Sequence, residues 1–196
     1  MKKKRARMRL APCAGILLAI LVLTDRTGLV LATLAAAFLH ECGHILAARA
    51  MHIPFREMRV DLMGARLELG ERMLSYGEEW LLAAVGPIAS FLAAAFGAIF
   101  WQCLPISASF SCASLLLGVL NLLPIRSFDG GRMLESALTR RFGTELSYSI
   151  MNCCSFLFLF LLWACAVYFL LRVGDGISLF FFSLSLFLRF FEKERI

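Results

Sequence analysis

The hydrophobic positions of this chain form long apolar runs that are separated by short polar segments. A helix that crosses the hydrocarbon core of a bilayer needs about 20 mostly apolar residues, and the second, third and fifth runs reach that length. The other runs are shorter, so their ends are less well defined, and a tilted or partly re-entrant course would fit them. The pattern predicts an all-α, multi-pass membrane protein with about six transmembrane helices. The six runs are residues 10–23, 28–51, 80–101, 108–123, 150–171 and 177–190.

A different pattern follows the second run. Apolar and charged residues alternate from Met58 to Leu62 and again from Ala65 to Leu69, with Met63-Gly64 between them. Alternation with a period of two residues is typical of a half-buried strand. The segment 53–70 is therefore predicted to form a small cytoplasmic β-hairpin, and the alternative is an amphipathic surface loop.

The polar segment after the fourth run is predicted to form a helix from Arg126 to Gly143 at the inner membrane surface. Asp129 is its candidate N-cap. Arg140 and Arg141 fall in the last turn, and Gly143 follows at the C′ position. This helix lies outside the six predicted spans.

Composition and charge narrow the class of protein. Apolar residues make up 60% of the chain and charged residues only 17%, which excludes an ordinary soluble domain. The short connections leave no room for a second folded domain, so residues 1–196 are interpreted as one membrane domain, with a zinc core at about 28–143 and additional spans at 150–190. Its surroundings are then the lipid bilayer.

The net charge of +6 could indicate nucleic acid, but the distribution of Lys and Arg argues against that partner. If the N-terminus is cytoplasmic, all but two of the twenty basic residues, Arg26 and Arg172, lie in cytoplasmic segments or adjoining span ends. This is the positive-inside distribution. It predicts cytoplasmic N- and C-termini in a cell membrane. The basic start before the first run resembles a signal peptide, but the lack of a clear cleavage site favours a retained span.

The second run contains His40, Glu41 and His44 in the order His-Glu-Cys-Gly-His. Residues four apart on a helix share one face, so the two imidazoles can bind one tetrahedral Zn²⁺, and Glu41 can reach a metal-bound water as a general base. Charged groups in a lipid-embedded helix cost roughly 2–3 kcal/mol or more, which favours a functional role. The alternative is that the histidines bond to neighbouring helices and Glu41 pairs with an arginine.

A catalytic zinc usually has three protein ligands and an open position. The remaining histidine, His52, lies at the membrane edge, where a surface position is expected. Asp129 is the better candidate, although an aspartate followed by glycines is also an ordinary helix cap. The second and fourth runs both cross the membrane from outside to inside, so His44 and Asp129 approach the same cytoplasmic side. Gly130 and Gly131 allow the chain to bend back toward His44.

These motifs resemble one known family. The His-Glu-x-Gly-His sequence at 40–44, together with Asn-x-x-Pro…Asp-Gly-Gly at 121–131, resembles the site-2 protease family of intramembrane zinc metalloproteases of the M50 type. Gly86-Pro87 with Ser90 is similar to the family's Gly-Pro-x-x-Asn/Ser segment. The layout is closest to the branch of stage IV sporulation protein FB, here without its CBS domain. The family often has Pro-Leu where this chain has Ser127-Phe128, which predicts a less rigid loop.

The resemblance implies a role for each matching residue. His40, His44 and Asp129 are expected to bind one Zn²⁺ per chain, with Glu41 as the catalytic base and Asn121 holding the substrate or the developing oxyanion. The implied activity is regulated intramembrane proteolysis in a bacterial cell membrane, at a site that opens toward the cytoplasm. The expected substrate is a membrane-tethered protein such as a sigma-factor precursor or an anti-sigma factor. A membrane regulatory partner and a role in sporulation are also expected.

Two other functions stay open. A divalent-cation transporter would need polar residues on several spans, and the fifth and sixth runs offer few. An inactive family member acting as a membrane-protein scaffold would be expected to carry a damaged motif, whereas His40, Glu41, His44 and Asp129 are all present.

Overall fold

The computed structural model describes residues 7–10, 20–53, 55–61, 64–69, 73–100, 102, 105–173 and 177–193. The chain divides into two compact units, residues 1–121 and residues 122–196. Each unit is described by itself.

Three long helices form most of the first unit: α1 at Leu29–Ala50, α2 at Tyr76–Ile99 and α3 at Pro105–Asn121. Residues 20–24 are also helical. Helix α2 begins at a capping box, in which the Ser75 hydroxyl accepts from the Glu78 N–H at 3.3 Å and Glu78 Oε2 accepts from the Ser75 N–H at 2.9 Å. Two of the otherwise unpaired donors at the helix start are thereby satisfied.

Small residues line the contacts between these helices. A Cβ on Gly43 of α1 would lie 2.8 Å from Ala89 Cβ and 2.9 Å from the carbonyl oxygen of Val85, both on α2. A Cβ on Gly118 of α3 would similarly lie 3.1 Å from Ser90 Cβ on α2. Small residues let apolar helices approach closely and gain packing energy where lipid supplies no hydrophobic drive between them. Helix α2 therefore packs closely against both α1 and α3.

The first unit also contains a three-stranded sheet in the order β1-β2-β3. Its strands are β1 at Arg7–Leu10, β2 at Phe55–Asp61 and β3 at Gly64–Leu69. Strand β2 pairs antiparallel with β3 and parallel with β1. Both β2 and β3 lie where the alternating pattern predicts strands, whereas the predicted turn falls partly on residues 62 and 63, outside the described residues.

The sheet corrects one expectation about the N-terminus. Leu10, predicted to open the first span, pairs with Val60 in the sheet. The physical reason lies in the sequence from Arg7 to Leu10, where basic and apolar residues alternate with the period of a strand. Residues 11–19 of the predicted span lie outside the described residues.

The second unit contains α4 at Asp129–Phe142, α5 at Thr144–Val173 and α6 at Ile177–Lys193. Its buried apolar cluster comprises Ile125, Leu159 and Leu186, with the side chains of Phe128 and others packed around it.

Helix α4 begins three residues later than predicted. Its N-cap is Phe128, in an extended conformation and with no side-chain cap bond, so Asp129 is the first helical residue and the N-cap assignment was wrong. Residues before Asp129 instead form a turn that the Phe128 N–H closes onto the Ile125 carbonyl at 2.8 Å. Gly143 ends the helix at the C-cap with φ of +82°, a conformation that favours glycine.

Within the part of the chain that the structure describes, three helices are long and apolar enough to cross a membrane: α1, α2 and residues Thr144–Arg172 of α5. They correspond to the second, third and fifth predicted spans. Shorter apolar helices lie at Ile106–Asn121 and Leu179–Leu188, where the fourth and sixth spans are predicted. The membrane character of the chain is supported, while the count of six spans stays a prediction.

Candidate metal and catalytic site

Two imidazoles meet on one face of α1. The Nε2 atoms of His40 and His44 lie 3.3 Å apart, and the rings stand at 80° to each other with centroids 4.9 Å apart. Their relative exposures are 4% and 7%. This follows from the helical repeat, because side chains four residues apart lie one above the other.

Helix α2 holds the opposite nitrogen of each ring. His44 Nδ1 lies 2.9 Å from the carbonyl oxygen of Leu82, which can only accept, so Nδ1 must carry the proton and donate. In a neutral ring the lone pair of His44 then lies on Nε2. His40 Nδ1 shares a 2.9 Å hydrogen bond with Ser90 Oγ, and when that nitrogen donates in a neutral ring, the lone pair of His40 lies on Nε2. Such second contacts orient the histidine ligands of metals.

Gly86 of α2 leaves space beside the two rings. A Cβ at this position would clash with His44 Nε2 and Cε1 and would lie 2.9 Å from His40 Nε2. Only glycine therefore allows the α2 backbone to approach the imidazole edges. Pro87 follows inside the same helix and is buried.

Glu41 follows His40 on α1 and is partly buried. A step of one residue turns the direction of a side chain by about 100° around a helix. Glu41 therefore has the sequence spacing that the general base has in the His-Glu-x-x-His motif of metalloproteases.

Asp129 is the first residue of α4 and is 7% exposed. The two glycines after it are required by crowding, because a Cβ on Gly130 would strike the Leu122 carbonyl and a Cβ on Gly131 would strike the Ile125 carbonyl. The glycines expected to let the chain bend therefore allow α4 to begin against its own preceding loop.

Among the described residues, His40 and His44 in the first unit and Asp129 in the second are all buried, and each offers a donor atom of a kind that binds metal ions. Two imidazoles and one carboxylate are a known ligand set of catalytic zinc. The chemistry of this donor set fits the metal that the sequence motifs imply.

The sequence also drew attention to Asn121 and His52. Asn121 is the last residue of α3, and its Nδ2 donates to the Leu117 carbonyl at 3.0 Å. His52 is exposed just after α1, with φ of 53° and its N–H donating to the Arg49 carbonyl at 3.1 Å. Its exposed position agrees with the surface location expected from the sequence.

The sequence did not indicate the Leu82 contact, because a backbone carbonyl leaves no signature in a motif. Ser90 and Gly86 were noted only through the family resemblance. Their contacts with residues about 40 to 50 positions away depend on how α1 packs on α2.

These features define a class: a membrane protein of apolar helices whose buried imidazole pair has the ligand geometry of a metal centre. The family model "Peptidase family M50" matches residues 86–165, which include Gly86, Asn121 and Asp129 but not the histidine pair. This match covers less than half of the chain.

The chain is 32% identical over 127 residues to Rip3, provisionally described as a zinc metalloprotease, from two strains of Mycobacterium tuberculosis. This alignment covers 60% of the chain and 32% of Rip3, so the chain spans about a third of the length of these relatives. The fold is similar to that of the site-2 protease from Methanocaldococcus jannaschii, with a TM-score of 0.69 and 20% identity, covering 100% of this chain and 94% of that one. None of these matches identifies the stage IV sporulation protein FB branch, which stays a prediction.

Proposed function

We propose that this protein is an intramembrane zinc metalloprotease that hydrolyses peptide bonds of a membrane-tethered protein. The observation that carries the proposal is the paired Nε2 atoms of His40 and His44, 3.3 Å apart, each on a ring whose Nδ1 is held by α2. Each Nδ1 already has a partner on α2, so two Nε2 atoms that converge on a buried face of an apolar helix favour a shared cation.

Under this proposal, His40, His44 and Asp129 hold one zinc ion. When bound there, zinc would polarise the substrate carbonyl and make water more acidic. Leu82 and Ser90 orient the two imidazoles through their Nδ1 atoms, and the burial of all three ligand side chains keeps bulk water from competing for them.

Glu41 is the general base in this proposal. Its carboxylate takes a proton from the attacking water and delivers it to the nitrogen of the leaving amine. Asn121 is proposed to hold the substrate or the oxygen of the reacting carbonyl. One of its two amide hydrogens is used by Leu117, so the other amide hydrogen serves this purpose.

The proposed substrate is a membrane-tethered regulator, such as a sigma-factor precursor or an anti-sigma factor, cleaved in a bacterial membrane with the site open to the cytoplasm. A membrane regulatory partner and a link to sporulation belong to the same proposal. Its support is the motif resemblance at residues 40–44 and 121–131, together with the apolar helices that surround the histidine pair.

Glu41→Gln tests the proposal directly. The variant keeps the size of the side chain but cannot accept a proton, so we expect about one zinc per chain and a loss of cleavage of at least a hundredfold. Zinc is measured by atomic absorption on purified protein, and cleavage is measured on candidate tethered substrates in vesicles.

Two further variants are the controls for that result. Glu145→Gln, which removes an exposed carboxylate in the first turn of α5, should leave both readings unchanged, and His44→Ala should lose zinc and cleavage together. A Glu41→Gln protein that cleaves at the wild-type rate would reject Glu41 as the base.

A further inference from the structure

One side chain links the loop that precedes Asp129 to two helices. Arg126 lies in this loop, residues 122–128, and its Nη2 and Nε donate to Glu135 Oε1 of α4 at 2.7 and 3.3 Å. Its Nη1 donates to Asn152 Oδ1 of α5 at 2.8 Å, and the guanidinium carbon lies 4.2 Å from the ring centroid of Tyr148. A single guanidinium thus joins the loop to two helices.

The backbone of the same loop is held at its centre. The Arg126 N–H donates to Ser155 Oγ of α5 at 3.1 Å, and the Phe128 N–H closes a turn onto the Ile125 carbonyl at 2.8 Å. Ile125 is 2% exposed, and its carbonyl lies against Gly131. Asp129 therefore follows a loop that is anchored on both sides of Arg126.

We propose that Arg126 is a positioning residue that fixes the carboxylate of Asp129 at the start of α4. The inference rests on the proposed function, because the position of Asp129 matters for catalysis only if that carboxylate binds zinc. The sequence predicted a less rigid loop, because Ser127-Phe128 replaces the Pro-Leu that is frequent in the family. Here hydrogen bonds to three residues of other elements supply the restriction that proline would impose on the backbone.

The chemistry of the side chain explains why arginine stands here. Its planar fork can donate in two directions at once, to Glu135 and to Asn152, whereas an ammonium group is a compact point donor. Burial lowers the pKa of Arg126, but the hydrogen bond and charge of Glu135 raise it by more, so the group stays charged. The Arg126 side chain is 16% exposed, so solvent competes little for its donors.

The test compares zinc affinity in Arg126→Gln, Arg126→Lys and Glu135→Gln with that of the wild-type full chain, by competition with a chromophoric chelator. Loss of supporting contacts around metal ligands commonly weakens affinity 10- to 100-fold, and we expect at least tenfold weaker binding for Arg126→Gln. Arg126→Lys should recover part of the loss. The double variant with Glu135→Gln should bind no more weakly than Arg126→Gln alone, because both substitutions remove the same charge-assisted contact between the two side chains.

Arg140→Gln, an exposed arginine in the last turn of the same helix, is the control and should bind zinc like the wild type. Arg126→Gln with wild-type affinity overturns the inference. A purely architectural role would lower the melting temperature without changing the affinity, and that result also overturns it. If Arg126→Gln does not fold, Glu135→Gln, which keeps the guanidinium, decides the question in the same way.

Hydrogen exchange of the amides from Ile125 to Gly131 separates this inference from the proposed function. Wild-type protein that binds no zinc would refute the zinc protease. Faster exchange in Arg126→Gln would then still support the positioning of the loop, and unchanged exchange would overturn it.

Discussion

At the scale of single residues, the candidate site depends on contacts that α2 makes with α1. The motif alone predicts that His40 and His44 lie close together, because their spacing matches the helical repeat. It does not predict which nitrogen of each ring is available. That follows from Leu82 and Ser90, whose contacts with the Nδ1 atoms depend on the packing of two helices.

Gly86→Ala is the sharpest test at this scale. The added methyl would clash with His44 Nε2 and Cε1, so one imidazole must leave its position or the helices must separate. We expect zinc occupancy to fall at least tenfold, with a destabilisation of about 1–3 kcal/mol from overpacking. Zinc content and thermal unfolding in detergent are the measurements.

The matched control for that substitution is Gly77→Ala on the same helix, where an added Cβ meets nothing within 4 Å. Zinc content should not change, and helix stability should stay the same or rise slightly, since alanine favours helix over glycine by up to about 1 kcal/mol. Full zinc occupancy in Gly86→Ala would show that the imidazoles do not bind metal in this geometry.

At the scale of elements, the sequence predicted positions better than boundaries. The run of apolar residues placed α1, α2 and α5, whereas the turn before α4 was predicted as part of the helix. Arg126 has good helix propensity, and only its bonds to Glu135 and Asn152 show that it belongs to the preceding loop. Strand β1 had a local signal in the alternation of residues 7–10, but its pairing with β2 joins segments more than 40 residues apart and cannot be predicted from alternation alone.

The start of α1 provides a prediction about pH. Asp25 accepts from the Thr27 hydroxyl at 2.7 Å and from the N–H groups of Thr27, Gly28 and Val30 at 2.9, 3.1 and 2.7 Å. The Thr27 hydroxyl has the largest effect in lowering the pKa of Asp25 below its ordinary 3.8, with the backbone donors adding to it and desolvation opposing it. The charged carboxylate therefore stabilises this helix start.

Because the pKa of Asp25 is lower in the folded state, its contribution to stability is fully present above the unfolded value of 3.8 and is lost as pH falls through the folded value. Asp25→Asn should lower the melting temperature near neutral pH, and its difference from the wild type should shrink only as pH falls below 3.8. Glu145→Gln, which removes an exposed acidic side chain from the first turn of α5, should show a smaller difference. If Asp25→Asn has the wild-type melting temperature at neutral pH, Asp25 does not stabilise the start of α1.

At the scale of the whole molecule, the sheet limits the membrane topologies that the chain can adopt. Strand β1 pairs with β2, so residues 7–10 and 55–61 must lie on the same side of the membrane. Helix α1, which precedes β2, has 22 residues and a length of about 33 Å, enough to cross the hydrocarbon core. The predicted first span would account for this pairing, and the number of crossings stays a prediction.

We therefore expect short epitope tags inserted in the full-length chain after Met1 and after Gly143 to be reached by antibody only in inside-out vesicles. Tags after Arg26 or after Arg172, the two basic residues that fall outside the predicted cytoplasmic segments, should be reached only in right-side-out vesicles. Vesicle orientation is checked with a tagged membrane protein of known topology.

Because β1 and β2 are bonded in one sheet, the tag after Met1 and a tag after His52 must always share a side, and tags on opposite sides would contradict the sheet itself. A tag after Gly143 that reacts in right-side-out vesicles would instead leave the sheet intact and place α4, with Asp129, on the outer face, which would reverse the proposed cytoplasmic opening of the site.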